Sequence, residues 1–290
     1  MQNATVTLIG CGSSSGVPGP GNDWGLCDPS NPKNARLRTS ALLCTGDDVI
    51  LIDCGPDFHR QSCLYNIRKI SGILLTHPHS DHIQGISELP ALMKWQSGDI
   101  TCFGTRTTLQ IACERFSYFF KDKTMVNRMR DNTSGPKRIK FVEIEPDRPF
   151  IVGDTYIQPF NQWHYNDMYS LGFRIGDFVY STDFSALDKK IRSHLIGGDT
   201  WVLDCLSETP TPAHNNLNKA LRYINEIKPR RAILTHMDNS MDYAAITSKL
   251  PPSVELAYDG MTIEIDLPSP EPRTDSRRQL FNVKSFECQS

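Results

Sequence analysis

Thr76-His77-Pro78-His79-Ser80-Asp81-His82 places three imidazoles and a carboxylate within seven residues, directly after the apolar run Ile73-Leu74-Leu75. Side chains alternate along an extended segment, so His77 and His79 point the same way and can grip one ion. Asp81 and His82 follow where Ile83-Gln84-Gly85-Ile86 opens a helical pattern, so they can turn toward a second ion. The bland alternative is a set of histidines on a solvated loop. Four potential ligands in so short a stretch weigh against it.

The chain has 290 residues, enough for one large α/β domain or two small ones. With 31 basic and 33 acidic residues the net charge is −2, which gives no whole-molecule attraction to nucleic acid or to an acidic membrane. Nucleic acid is therefore the less favoured partner. The nine cysteines are scattered singly, and Met1-Gln2-Asn3-Ala4-Thr5 lacks the basic and apolar regions of a signal peptide. The expectation is a reduced, cytoplasmic protein. No apolar run approaches the roughly 20 residues of a membrane helix, so no membrane partner is expected.

Residues 4–10 alternate as a strand and run into Gly10-Cys11-Gly12-Ser13-Ser14-Ser15-Gly16-Val17-Pro18. Small residues there leave backbone N–H groups open to an anion, so Ser13, Ser14, Ser15 and Gly16 are candidate substrate contacts. A plain turn is the alternative, and the Lys-Ser/Thr ending of a P-loop is missing. Residues 38–45 and 49–54 read as a hairpin, and Pro56 to Ile67 as a helix that carries Arg60, on a solvated face or near substrate. A helix over 83–96 and a strand over 100–104 follow. Between Gly104 and Lys140 nine basic residues face three acidic ones, a local +6, with Phe116, Tyr118, Phe119 and Phe120 among them. That stretch reads either as an anion-guiding rim or as a helix with an ordinary core stripe.

Strands are expected at 139–145, 150–160, 170–176, 178–183, 200–205, 231–236, 254–257 and 262–265, and helices at 217–227 and 241–250. His214 stands just ahead of the helix at 217, with Asn215 or Asn216 as its cap, near an anion-favouring terminus. From Leu267 a Pro-rich, polar run predicts a flexible tail, so the expected domains are 1–266 and a tail over 267–290. The pattern alone gives a mixed α/β chain without internal repeat.

His-x-His-x-Asp-His after a buried strand resembles the motif of the metallo-β-lactamase-fold hydrolases, and the resemblance extends from about residue 4 to about residue 265. It implies a four-layer αβ/βα sandwich, an α/β (α+β) fold, with ligands at one edge between two sheets. It also implies two divalent ions, Zn or Mn. His77, His79 and His164 would hold one, Asp81, His82 and His236 the other, and Asp183 would bridge. Asp53 would orient a ligand loop, and Asp81 is counted with His214 as catalytic. The β-lactamases proper have Cys where Asp183 stands, which argues against lactam cleavage.

The opening loop, with Asn34-Ala35-Arg36-Leu37-Arg38-Thr39-Ser40, looks like the branch containing the phosphoribosyl cyclic phosphodiesterase of phosphonate breakdown. Such relatives carry a His comparable to His214, which would protonate a leaving group. They also have several cysteines in the first loop for a structural zinc. Here Cys27 is alone there, so no such site is expected, and packing of Trp24 and the prolines should hold the loop. The implied substrate is a small anionic phosphodiester, a cyclic phosphate or nucleotide. A homodimer is compatible. The competing activities are a tRNA 3′-processing nuclease, a thioester hydrolase of the glyoxalase II type, and a non-catalytic nucleotide binder.

Overall fold

Two mixed sheets lie face to face in a computed structural model that describes residues 2–121, 130–131, 135–136, 138–267 and 283–288, with side chains described over 3–119, 138–267 and 283–288. The first half of the chain supplies β1 (Gln2–Gly10), β2 (Ser40–Thr45), β3 (Asp48–Ile52), β4 (Gly72–Leu74) and β5 (Ile100–Gly104). A two-stranded ribbon, β6 (Arg130–Asp131) and β7 (Gly135–Pro136), then precedes β8 (Ile139–Glu143). The second half supplies β9 (Phe150–Val152), β10 (Thr155–Tyr165), β11 (Met168–Ile175), β12 (Phe178–Ser181), β13 (Thr200–Asp204), β14 (Arg231–Thr235) and β15 (Val254–Leu256). The chain then returns to the first sheet with β16 (Met261–Leu267) and β17 (Lys284–Phe286).

The strand orders are β16-β1-β2-β3-β4-β5-β8-β17 and β15-β14-β13-β12-β11-β10-β9. The central neighbours β3, β4, β5 and β8 are parallel, as are β12, β13, β14 and β15. Parallel strands end on the same side, so the loops leaving their carboxyl ends meet at one edge.

Alternation along the strands builds two cores. Ile50 and Ile52 of β3 face the second sheet, among Phe150, Phe160, Phe173 and Phe178, while Leu51 faces the other way. On that outer side Leu51, Ile73 and Leu75 pack under Phe58, Ile86, Leu89 and Leu109 from helical segments. Leu217, Ala220 and Ile224 of the helix Leu217–Ile227 cover the far side of the second sheet. The result is the expected four-layer sandwich. Removing one buried Phe ring from such a core costs about 3–5 kcal/mol.

The helix read over 83–96 is broken into short pieces at Ser80–Ile83, Gln84–Glu88, Leu89–Leu92 and Met93–Trp95. Pro90 fits because it stands in the first turn of its piece, where no intrahelical N–H is needed. The expectation of a wholly flexible tail is corrected at its end. β17 pairs antiparallel with the free edge of β8, and Cys288 is disulfide-bonded to Cys113, so the thiols are not all reduced. The stretch 268–282 lies outside the described residues. So do the side chains at 120–137, on which half of the local +6 falls. Phe116 and Phe119 are buried in the outer core, Tyr118 is exposed, and Arg106 and Lys140 pair with Glu143 and Asp99.

Arg36, not Trp24, holds the first long loop. Its buried guanidinium donates to the carbonyls of Met241 (2.6 Å) and Asp238 (3.2 Å) and to Asn34 Oδ1 (3.3 Å), with Cys27 Sγ 3.8 Å away. Trp24 is only half-buried and donates to Asn22. A planar fork with several donors suits this task, because the carbonyls it meets belong to a loop far away in sequence.

Asp259 clamps the same loop at its root. It accepts from the backbone N–H groups of Cys11 (3.0 Å) and Leu37 (2.7 Å) and from Cys11 Sγ (3.3 Å), and burial pushes its carboxyl up to about 7. Above about pH 4 the unfolded chain has released this proton while the folded chain keeps it, so this group lowers stability as pH rises toward 7. In metal-free buffer, wild-type protein should therefore lose stability relative to Asp259→Asn by on the order of a few kcal/mol between pH 4 and 7. Urea melts across that range test this, and parallel curves for the two proteins would refute it.

Candidate metal centre

His77, His79, Asp81 and His82 leave the carboxyl end of β4, Asp183 follows β12, and His236 follows β14. His164 sits near the end of β10, where the pairing with β11 shifts register between Trp163 and Tyr165, an irregularity that re-aims a side chain. All seven sequence-derived ligand candidates thus arrive at one edge between the sheets. Two close approaches fix the loop after β4. A Cβ at Gly55 would lie 2.1 Å from the Asp81 carbonyl, and Cys54 N–H donates to the His82 carbonyl at 2.8 Å.

Ligand atoms of His77, His79 and His164 form one close group, and those of Asp81, His82 and His236 another. Asp183 stands between them. Its Oδ1 is 3.4 Å from His236 Nε2 and 3.9 Å from His77 Nε2, and its Oδ2 is 3.3 Å from His82 Nε2. Asp81 Oδ2 lies 3.2 Å from His82 Nε2 and 3.5 Å from His236 Nε2. Ligands about 2.0–2.1 Å from a tetrahedral ion would be roughly 3.3 Å apart, so this spacing suits metal. The Nε2 atoms of His77, His82 and His236 are buried without a hydrogen-bond partner among the described residues, as metal-directed nitrogens would be. The donor set fits two divalent ions.

Carboxylates and carbonyls behind the imidazoles set their tautomers. His82 Nδ1 donates to Asp53 Oδ2 at 2.7 Å, which turns Nε2 toward the site. Asp53 also accepts from the N–H and hydroxyl of Thr76, next to His77. His164 Nδ1 donates to the Ala213 carbonyl at 3.0 Å. Burial alone would raise the Asp183 carboxyl, but His236, His82 and His77 hold it well below the usual range. Burial and the neighbouring imidazole of His82 push His77 well below its ordinary value. A carboxylate and neutral imidazoles are the forms that bind metal.

His214 lies in the same cluster, its ring stacked on His236 at 4.9 Å and edge-on to His164. The residue missed in the sequence is Asp204, at the end of β13. It accepts from His214 Nδ1 at 3.0 Å and from Asn215 N–H at 2.7 Å. Burial opposes a charge on His214, yet Asp204 pushes it up to about 9, so Nε2 carries a proton. A signal existed. Asp204-Cys205 ends a strand as Asp53-Cys54 does.

In the candidate substrate loop the N–H groups of Gly12, Ser13, Gly16 and Val17 donate to the carbonyls of Leu37, Met237, Ser13 and Arg36. Ser14 and Ser15 are exposed beside it, and Arg60 is exposed on its helix.

The family description of a beta-lactamase superfamily domain matches residues 49–237. The chain belongs to this superfamily. Within it, a solved diphosphatase of the PhnP family is 27% identical with a TM-score of 0.82, over 91% of this chain and 98% of that one. An octanoyltransferase of Porphyromonas gingivalis is 28% identical over 268 residues, 89% of this chain and 51% of that protein. A ribonuclease Z of Pediococcus pentosaceus is 29% identical over 162 residues, 52% of this chain and 46% of that protein. The chain thus spans about half the length of these two curated relatives. It is a hydrolase-fold member of the superfamily, with His/Asp clusters compatible with divalent metal.

Metal analysis of purified protein should give two ions per chain. Asp183→Ala should reduce this to one or none, whereas replacement of the exposed His59 should keep both. Two ions retained in a folded Asp183→Ala protein would remove the bridge.

Proposed function

We propose that the chain is a dinuclear metal-dependent phosphodiesterase for small anionic diesters of the cyclic phosphate or nucleotide type, with His214 as proton donor. The observation that carries this reading is the Asp204–His214 pair inside the ligand cluster, since a metal site alone would not need it. Two divalent ions, when bound by the seven residues, would supply charge that activates water and steadies a phosphoryl group. Asp183 would serve both ions, and Asp81 and His82 would position the second.

The departing alkoxide of a phosphodiester needs a proton as its P–O bond breaks. Held at Nδ1 by Asp204, His214 keeps its ring fixed and can offer the Nε2 proton. A thioester, with its weakly basic thiolate leaving group, would give this pair little to do. The ribonuclease Z relative keeps RNA as the second reading, and an RNA arm of the screen decides it.

Metal-loaded protein should hydrolyse cyclic nucleotides or ribose cyclic phosphates in preference to thioesters and short RNAs. His214→Ala should keep both ions and lower kcat on an alkyl or ribose diester by about 10²–10⁴-fold. A nitrophenyl diester, whose leaving group needs little protonation, should be much less affected. Equal losses on both esters, or loss of an ion, would overturn the assignment of proton donor.

A further inference from the structure

Cys113 and Cys288 join two elements to which the metal reading gives no task. Cys113 lies in the helix Arg106–Arg115, on the outer side of the first sheet, and Cys288 follows β17 at a sequence separation of 175. β17 is the last strand of its sheet and pairs on one side only, with β8.

What holds β17 besides this bond is slight. Three residues pair with β8, Lys284 with Glu143, Ser285 with Val142 and Phe286 with Phe141. Val283, Lys284, Ser285 and Glu287 are exposed, and of the described tail residues Phe286 and Cys288 alone pack, partly buried, against the outer core. Glu143, opposite Lys284, already accepts from Arg106 Nη2 at 2.7 Å and Nε at 3.2 Å, so a cross-strand charge pair adds little. One partly buried ring and one sulfur must therefore offset the ordering of residues 283–288, and by ordinary magnitudes they do not. A covalent tie changes that balance, because it keeps the strand beside its partner whatever the noncovalent contacts are worth.

The bond can also be reached. Cys113 is 8% exposed, but it lines a cavity of about 470 Å³ between its helix and β17, together with Ser117 and the exposed Arg106, Gln110 and Lys284. A small dithiol can enter a space of that size.

We propose that the Cys113–Cys288 disulfide is a reversible redox latch that decides whether β17 is docked on β8. Opening it takes a dithiol reductant. One thiolate of the reductant attacks a latch sulfur and the S–S bond breaks, giving a mixed disulfide and one protein thiol. The second reductant thiol then displaces the other protein sulfur, so two electrons and two protons end on Cys113 and Cys288 and the reductant leaves as its own disulfide. β17 then comes away, and the N–H and C=O groups along the outer side of β8 are left facing solvent. A bond of this kind is open where thiols hold the surroundings reducing and shut where they are oxidising.

Hydrogen exchange on the full chain tests this, in the oxidised protein and after equilibration with dithiothreitol. A non-reducing digest of the oxidised protein should contain the Cys113 and Cys288 peptides linked, and exchange at 284–286 should be slow. Reduction should speed exchange at 284–286 at least tenfold and leave β3 unchanged, and reoxidation should restore protection. Cys288→Ser should exchange like the reduced protein with or without dithiothreitol, which separates the latch from any action of the reductant on bound metal.

A digest without the linked pair, protection of 284–286 that survives reduction, or fast exchange already in the oxidised protein overturns the latch. Should Cys288→Ser fail to fold, wild type reduced and capped with iodoacetamide takes its place, and exchange within twofold of the oxidised protein counts against the proposal.

Discussion

One buried carboxylate organises the site. Asp183 has an oxygen within 4.0 Å of ring nitrogens from His77, His82, His164, His214 and His236. A cluster of this kind is costly in a protein interior, because each unpartnered polar atom has lost its water. Ions in the same place would replace the lost hydration with direct bonds, which explains why so many imidazole nitrogens can face inward without protein partners. The surrounding structure must then hold the side chains in place before any ion arrives. Asp53 and the Ala213 carbonyl do this from behind, through the Nδ1 atoms of His82 and His164, while Asp204 holds His214 at Nδ1, the nitrogen that lies 3.8 Å from Asp183 Oδ1.

The backbone is constrained at the same points. Asp53, Asp183 and His236 have φ of 61°, 53° and 62°, in the left-handed region that non-glycine residues rarely occupy. Each follows the carboxyl end of a strand, and the turn ends the ladder and sets the side chain at the sheet edge. Strain of this sort costs on the order of 1–3 kcal/mol per residue and persists where neighbours fix it. Here the neighbours are the strands paired on both sides of β3, β12 and β14, at least one of them parallel in each case, together with the Thr76 and Asn215 contacts to the supporting carboxylates.

What was legible in the sequence was local. Four ligand candidates stand within seven residues, and no tertiary information is needed to see that two of them share a side of an extended segment. The remaining ligands came from order and resemblance. Asp204 did not, because its partners depend on strand adjacency. The parallel register sets Asp204 opposite Thr235, and therefore beside His236, and nothing in one sequence says that β13 and β14 are neighbours. The same holds in the Gly-Ser loop, where the carbonyls of Leu37 and Met237 that take the Gly12 and Ser13 N–H groups lie far along the chain. The end of the tail was misread because composition describes a segment's own ability to bury surface and says nothing of a free strand edge such as that of β8.

The first loop and the candidate metal centre form a single mechanical unit. Ser13 N–H donates to the Met237 carbonyl, Met237 N–H donates to the Cys11 carbonyl, and Arg36 reaches the carbonyls of Asp238 and Met241. The segment after His236 is thus held by the loop after β1, and Asp259 holds the root of that loop through Cys11 and Leu37. Arg36 brings a permanent charge into this contact, and buried charge is weak evidence for added stability. Its value here is directional, since a fork that must satisfy two carbonyls and an amide accepts few loop arrangements. A hydrophobic residue of similar volume could fill the space without specifying where residues 237–241 sit, and so would leave the turn at His236 free to relax out of its left-handed conformation. The geometry of a metal-ligand candidate therefore depends on a residue outside the ligand set, through its side-chain bonds to the carbonyls that follow His236.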